Sequence, residues 1–187
     1  TGKIGGQYFA PGAATLTNQG LISADVSGGT ITVGVYSGVT NQGTMEAKNG
    51  GTLWFNGNGP GITNSGTLRA DADSAVVFYG TTVSGGTLEG SGRFVGKASS
   101  NNFLVGVTLN GTLDLASAQG FERVKGGMTL NGTVNIGKNS IFAPEGDNTI
   151  SGSGSIVFAD SNGLNYFDAG AEVVEDRKST RLNSSHT

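Results

Sequence analysis

Residues able to do chemistry are sparse in this chain. It has no cysteine and one histidine, His186, so thiolate chemistry is excluded and imidazole chemistry is confined to one position near the C-terminus. Carboxylates remain. Glu89 and Asp114 each close a Gly-Thr-Leu-acid tetrapeptide, Gly86 to Glu89 and Gly111 to Asp114. If those segments stack in neighbouring layers, the two carboxyls stand about 5 Å apart, a separation suited to a retaining glycosidase pair. The position they share runs Ser23, Glu46, Arg69, Glu89, Asp114, Asn135, and a second series runs Asp25, Lys48, Asp71. Alternating sign between stacked neighbours avoids like-charge repulsion, so both series read as surface salt ladders.

Hydroxyls form a second set. Thr17, Thr40, Thr63, Ser84, Thr108, Thr129 and Ser151 are expected in one column, and Thr44, Thr67, Thr87, Thr112, Thr133 and Ser155 in another. Flat hydroxyl arrays can bind ice or glycans, but threonine also suits an exposed strand position. The repeated Gly-Gly-x-Gly-x-Asp text of calcium-binding solenoids is absent, so Asp71 and Asp73 read as surface residues. No catalytic, cofactor-binding or metal-ligating residue is assigned, and the chain is expected not to be an enzyme.

The elements that must position these residues follow from composition and repetition. The 34 glycines among 187 residues disfavour helix. Collagen would need abundant proline, and there are 3. Recurrent Val, Ile, Leu and Phe clusters argue against disorder. An all-β chain with frequent turns remains, and it lacks the 18-residue apolar run of a transmembrane helix.

One phrase recurs: Leu16-Thr17-Asn18-Gln19-Gly20-Leu21-Ile22, Val39-Thr40-Asn41-Gln42-Gly43-Thr44-Met45, and Ile62-Thr63-Asn64-Ser65-Gly66-Thr67-Leu68. Weaker copies centre on Gly86, Gly111, Gly132 and Gly154, giving glycine spacings of 23, 23, 20, 25, 21 and 22. A unit of about 22 residues cannot bury its own apolar face and must stack on its neighbours. The prediction is a right-handed parallel β-helix of seven coils over about 14–167, with the seven glycines in one line. Coils about 4.8 Å apart make a rod of roughly 35 Å.

Three inward columns are expected. One is Leu16, Val39, Ile62, Val83, Val107, Met128 and Ile150. Another is Ile22, Met45, Leu68, Leu88, Leu113, Val134 and Ile156. The third, Ala24, Ala47, Ala70, Gly90, Leu115, Ile136 and Phe158, grows in size while the facing strand shrinks from Phe55 and Phe78 to Ala143. Asn18, Asn41 and Asn64 read as an amide ladder at a left-handed turn, with Gly85 and Gly152 taking over that position. Arg123 breaks the alternation and leaves its coil without a register.

Residues 176–187 break with the rest. Asp176-Arg177-Lys178-Ser179-Thr180-Arg181-Leu182-Asn183-Ser184-Ser185-His186 resembles one translated frame of a common sequencing-library adapter, and it is set aside as a non-native tail. Residues 1–175 are then one solenoid fragment, open at both ends, with Tyr8 and Phe9 placed in a preceding coil and Val173 starting an eighth. Without the tail there are eight basic and thirteen acidic residues, net −5, which disfavours nucleic acid as a partner.

The Thr-Asn-x-Gly-Thr-Leu-x-Ala text, with Leu-Asn-Gly-Thr-Leu-Asp-Leu and Ser-Gly-Ser-Gly-Ser-Ile-Val-Phe later on, resembles the β-helical passengers of autotransporter and filamentous-haemagglutinin-type bacterial surface proteins. The resemblance covers residues 14–167 and is one of repeat grammar. It implies a right-handed β-helix, export to the cell surface or beyond, and a stalk or adhesive role; it transfers no site residue. Surface glycans or proteins are the partners it suggests, and open ends allow end-to-end self-association. The alternative is a carbohydrate-binding or carbohydrate-cleaving β-helix. Enzymes on this fold wall a cleft with long loops, and here the longest excursion is Lys97 to Leu104.

Overall fold

Short runs in which apolar residues alternate with Thr, Ser or charged residues form strands, and the glycine-rich text between them forms corners. A computed structural model describes residues 1–5, 15–34, 37–57, 61–160 and 163–168. Strand β1 (Gly2–Ile4) lies on the third face of a leading coil. The next four coils have three strands each: β2 (Leu16–Asn18), β3 (Leu21–Ala24) and β4 (Thr30–Val33); β5 (Val39–Asn41), β6 (Thr44–Ala47) and β7 (Thr52–Asn56); β8 (Ile62–Asn64), β9 (Thr67–Ala70) and β10 (Ala75–Tyr79); β11 (Thr82–Ser84), β12 (Thr87–Glu89) and β13 (Arg93–Gly96). In coils five and six the first two strands fuse, giving β14 (Phe103–Leu109) with β15 (Thr112–Asp114), and β16 (Phe121–Leu130) with β17 (Thr133–Ile136). Coil seven separates them again as β18 (Ile141–Pro144), β19 (Ile150–Ser151) and β20 (Ser155–Phe158), and β21 (Tyr166–Phe167) begins another first face.

Every pairing among these strands is parallel and joins one coil to the next. The third face is one sheet in the order β1-β4-β7-β10-β13-β15-β17-β20, and the first and second faces form another. The chain is a β-solenoid of about seven coils, as its repeats predict. Its interior is one apolar cluster from Ala24 to Phe142. Phe55 and Phe78 stack with ring centroids 6.0 Å apart, and Phe78 and Phe94 at 6.3 Å. Burying each such ring contributes about 1.5–3 kcal/mol.

Gly43, Gly66 and Gly132 are required at their corners by close approach. The Thr44 amide donates to the Gly20 carbonyl at 2.8 Å, and the Thr67 amide to the Gly43 carbonyl at 3.0 Å. A Cβ on Gly43 would overlap the Gly20 carbonyl oxygen, and one on Gly66 the Gly43 oxygen. The same device recurs at Gly132, whose Cβ would strike Gly111.

The predicted glycine line is corrected here. Gly20, Gly43, Gly66 and Gly86 occupy the corner between the first and second faces. Gly111, Gly132 and Gly154 follow Gly90 at the corner between the second and third. Thr87 pairs with Thr108, 21 residues on, rather than with Thr112. The spacing of 25 is thus one coil of 21 residues plus a hop of four to the next corner. Both corners pinch one coil against another, so both select a glycine followed in most coils by threonine.

Three columns change accordingly. Val83 stacks on Leu104 and then Val124, while Val107, Met128 and Ile150 occupy the position held earlier by corner glycine. Leu88 continues to Leu109 and Leu130, whereas Phe94 continues to Leu113, Val134 and Ile156. Ala24, Ala47 and Ala70 lead to Gly90 on the second face, while Leu115, Ile136 and Phe158 belong to the third. Arg123 acquires a register, between Phe103 and Ala143.

Candidate functional surface

The carboxylate pair suggested by the repeat spacing is not assembled. Glu89 lies on the second face beside Arg69, and Asp114 on the third face between Val95 and Asn135. Asp114 is occupied structurally. It accepts from Arg93 at 3.0 Å and from the Ser117 amide at 3.0 Å, fixing the tight turn Ala116–Ala118. With the two acids on different sheets, no glycosidase geometry arises from them.

The charged ladder exists, but its ion pairs run along the chain within a coil. Glu46 and Arg69 are neighbours in register, as are Arg69 and Glu89. The ion pairs are Lys48–Glu46 at 2.9 Å and Arg69–Asp71 at 2.6 Å, each between residues two apart on one outward row. The Lys48 hydrogen bond holds the Glu46 carboxyl below its ordinary value, burial opposes this, and the Ser23 hydroxyl at 2.8 Å assists it. Asp73 is an exposed turn residue with φ of 61°. Among the described residues no group of three His, Cys, Asp or Glu side chains could hold a metal ion.

The hydroxyl columns are re-sorted by the register. Thr44, Thr67, Thr87, Thr108, Thr129 and Ser151 form one continuous line on the second face. Thr17, Thr40, Thr63 and Ser84 form a shorter line on the first face, which then changes to Val105 and Lys125. Thr112, Thr133 and Ser155 lie on the third.

The asparagine ladder is present and internal. Asn18 Nδ2 donates to Asn41 Oδ1 at 2.8 Å, and Asn41 Nδ2 to Asn64 Oδ1 at 2.8 Å. The same donors reach the Thr44 and Thr67 carbonyls at 3.0 and 3.1 Å. These asparagines end strands and do not have positive φ, which corrects the left-handed expectation. Their selection follows from the corner's buried carbonyls, which need donors. Gly85 does take over the position after Asn64, but Gly152 stacks on Leu130 and does not.

Two features escaped the sequence. Glu122 points inward among Gly96 and Leu115, fully buried, with neither carboxyl oxygen hydrogen-bonded. Burial pushes its carboxyl well above the ordinary value. The second is an outward cluster on the first face of coils five to seven. Because Leu104, Glu122, Val124 and Phe142 are buried, their neighbours Phe103, Phe121, Arg123, Lys125 and Ile141 point outward. The Arg123 guanidinium lies 5.1 Å from the Phe103 ring centre and 5.6 Å from that of Phe121, and Lys125 Nζ lies 4.5 Å from Phe103. Glu145 pairs with Arg123 and, at 3.2 Å, with Lys125. The signal for this cluster was Arg123 itself, the residue that broke the repeat.

The fold defines this chain as a β-solenoid built on short repeats. No protein-family model, curated protein or solved structure matches it. Residues 176–187, Tyr8, Phe9 and Val173 lie outside the described residues.

Proposed function

We propose that this chain is a structural segment of a large bacterial surface or secreted protein of the autotransporter or filamentous-haemagglutinin kind. It serves as a rigid rod that spaces adhesive regions, acts outside the cell and has no catalytic role. The observation carrying this proposal is the continuous parallel ladder from β1 to β20 around a filled apolar interior, in which each coil supports the next. Repeat grammar like that of known surface stalks supports the extracellular setting.

The test uses the complete gene expressed in a bacterial host, with an epitope inserted at the open turn around Gly28. Antibody and protease should reach the epitope on intact cells or in the medium. An epitope detected only after lysis rejects the proposal.

A further inference from the structure

The corner between the second and third faces tightens along the solenoid. Five residues join β3 to β4 and three join β12 to β13, but only two join β14 to β15 and β16 to β17. Those two are Asn110-Gly111 and Asn131-Gly132, and Thr112 and Thr133 open the strands that follow. A bend this short turns the asparagine side chain out of the coil. Asn110 and Asn131 are both exposed, each next to a buried leucine, Leu109 or Leu130. Thr112 and Thr133 point outward beside buried Leu113 and Val134, so the Asn and Thr of each coil share one convex edge.

The text at this edge differs from the inner amide ladder by one residue. After Asn41 and Asn64 a threonine comes three positions on, at Thr44 and Thr67, and those asparagines are buried. At Asn110 and Asn131 it comes two positions on, which writes Asn-x-Thr, the acceptor triplet for N-linked glycosylation. No other asparagine among residues 1–175 stands in Asn-x-Ser or Asn-x-Thr text. The corner itself does not require this triplet, since coils four and seven turn it with Ser91-Gly92-Arg93 and Ser153-Gly154-Ser155. The two sites are not equivalent. Asn131 Nδ2 donates to Asn110 Oδ1 at 3.0 Å, and Thr133 Oγ1 lies 3.3 Å from Ser155 Oγ. Asn110 Nδ2 and Thr112 Oγ1 have no partner among the described residues.

We propose that Asn110 is an N-glycosylation site of the folded solenoid, with Thr112 as the hydroxyl the transferase reads, and that attachment there blocks Asn131. The co-substrates are a sugar diphosphate ester and a glycosyltransferase specific for the triplet. The bond from the sugar's anomeric carbon to phosphate oxygen breaks, and a bond from that carbon to Asn110 Nδ2 forms. The amide nitrogen gives up one proton, and the diphosphate leaves with the bonding electron pair. Asn131 lies one coil on, about 5 Å away, within the footprint of the attached ring, and its own nitrogen is already engaged. Attachment at Asn110 leaves the fold intact, because its Nδ2 holds no hydrogen bond among the described residues. The acceptor goes beyond the rod role and rests on the corner, not on that role.

The test incubates the folded full chain with a soluble triplet-specific N-glucosyltransferase and UDP-glucose. The chain carries Asn183→Gln, which removes a further triplet, Asn183-Ser184-Ser185, in the tail. Trypsin cleavage after Lys97, Arg123, Lys125 and Lys138 places Asn110 and Asn131 on different peptides for mass spectrometry. One hexose per chain is expected, on Asn110 about fivefold or more over Asn131, the worth of the hydrogen bond that holds the latter. Thr112→Val should abolish labelling of Asn110 with circular dichroism unchanged, Thr112→Ser should retain it, and Thr133→Val should leave it untouched. No hexose on the folded chain under conditions that label a peptide of residues 106–113 would overturn the assignment. So would labelling only after denaturation, equal labelling of Asn131, two hexoses on most chains, or labelling of Asn110 that survives Thr112→Val.

Discussion

Single residues in this solenoid are tuned by what the neighbouring coil places against them. Gly20 and Gly43 occupy equivalent corners, yet a Cβ on Gly20 meets nothing within 4 Å, whereas one on Gly43 would overlap the Gly20 carbonyl. Gly20→Ala should therefore be near neutral, and Gly43→Ala should cost about 1–3 kcal/mol in urea unfolding, because overpacked sites force backbone shifts. Equal midpoints for the two variants would contradict this. Glu122 and Glu46 give opposite pH dependences. Glu122 has a raised folded pKa, so its contribution is intact below the ordinary glutamate value and is lost as pH rises toward the folded one. Glu46 is depressed, so its contribution is present above the ordinary value and disappears as pH falls through the folded one. Glu122→Leu should raise stability at pH 7 by about 1–3 kcal/mol and flatten the loss between pH 5 and 7. Glu46→Gln should flatten the acid side alone. Chemical denaturation across pH 3 to 8 reads both slopes.

At the scale of strands, the decisive event is the hop between Gly86 and Gly111. The sequence aligns Thr87 with Thr112, whereas the coil pairs Thr87 with Thr108. Outward residues paired in register across adjacent coils lie within disulfide reach, and the chain has no cysteine to interfere. Under mild oxidation, Thr87→Cys with Thr108→Cys should crosslink intramolecularly, and Thr87→Cys with Thr112→Cys should not. The opposite result would restore a single glycine line. The fusion of first and second faces in β14 and β16 has its cause in the same hop. Once Val107 and Met128 replace the corner glycine, the chain runs on, and Gly106 with Gly126 and Gly127 absorbs the mismatch as a bulge.

Over the whole molecule, stability is close to one-dimensional, each coil resting on two others. The central coils are fully sandwiched, with Met45, Leu68, Leu88, Leu109 and Leu113 entirely buried. On β20 and after it, Phe158, Leu164 and Tyr166 are 48%, 65% and 45% exposed. Amide exchange should be slowest from β6 to β17 and fastest at β1 and β21. The exposed apolar surface should also favour end-to-end association at high concentration, detectable by sedimentation. Uniform protection from β1 to β21 in a strict monomer would refute both expectations.

The sequence by itself determined the class of fold. Glycine content, two-residue alternation and a repeat near 22 residues admit a stacked β-solenoid, because nothing else buries the apolar face of so short a unit. The amide ladder at Asn18, Asn41 and Asn64 was legible for the same reason, since identical text at equal spacing must stack. Only the tertiary structure decided which corner each later glycine serves. That choice depends on cumulative register, and two corners pinched in the same way both select glycine. The separation of Glu89 from Asp114, the unbroken threonine line from Thr44 to Thr129 and the placing of Phe121 beside Arg123 all follow from that register. A slip of four residues moves a side chain from one face of the solenoid to the next, and local sequence carries no term that resists it.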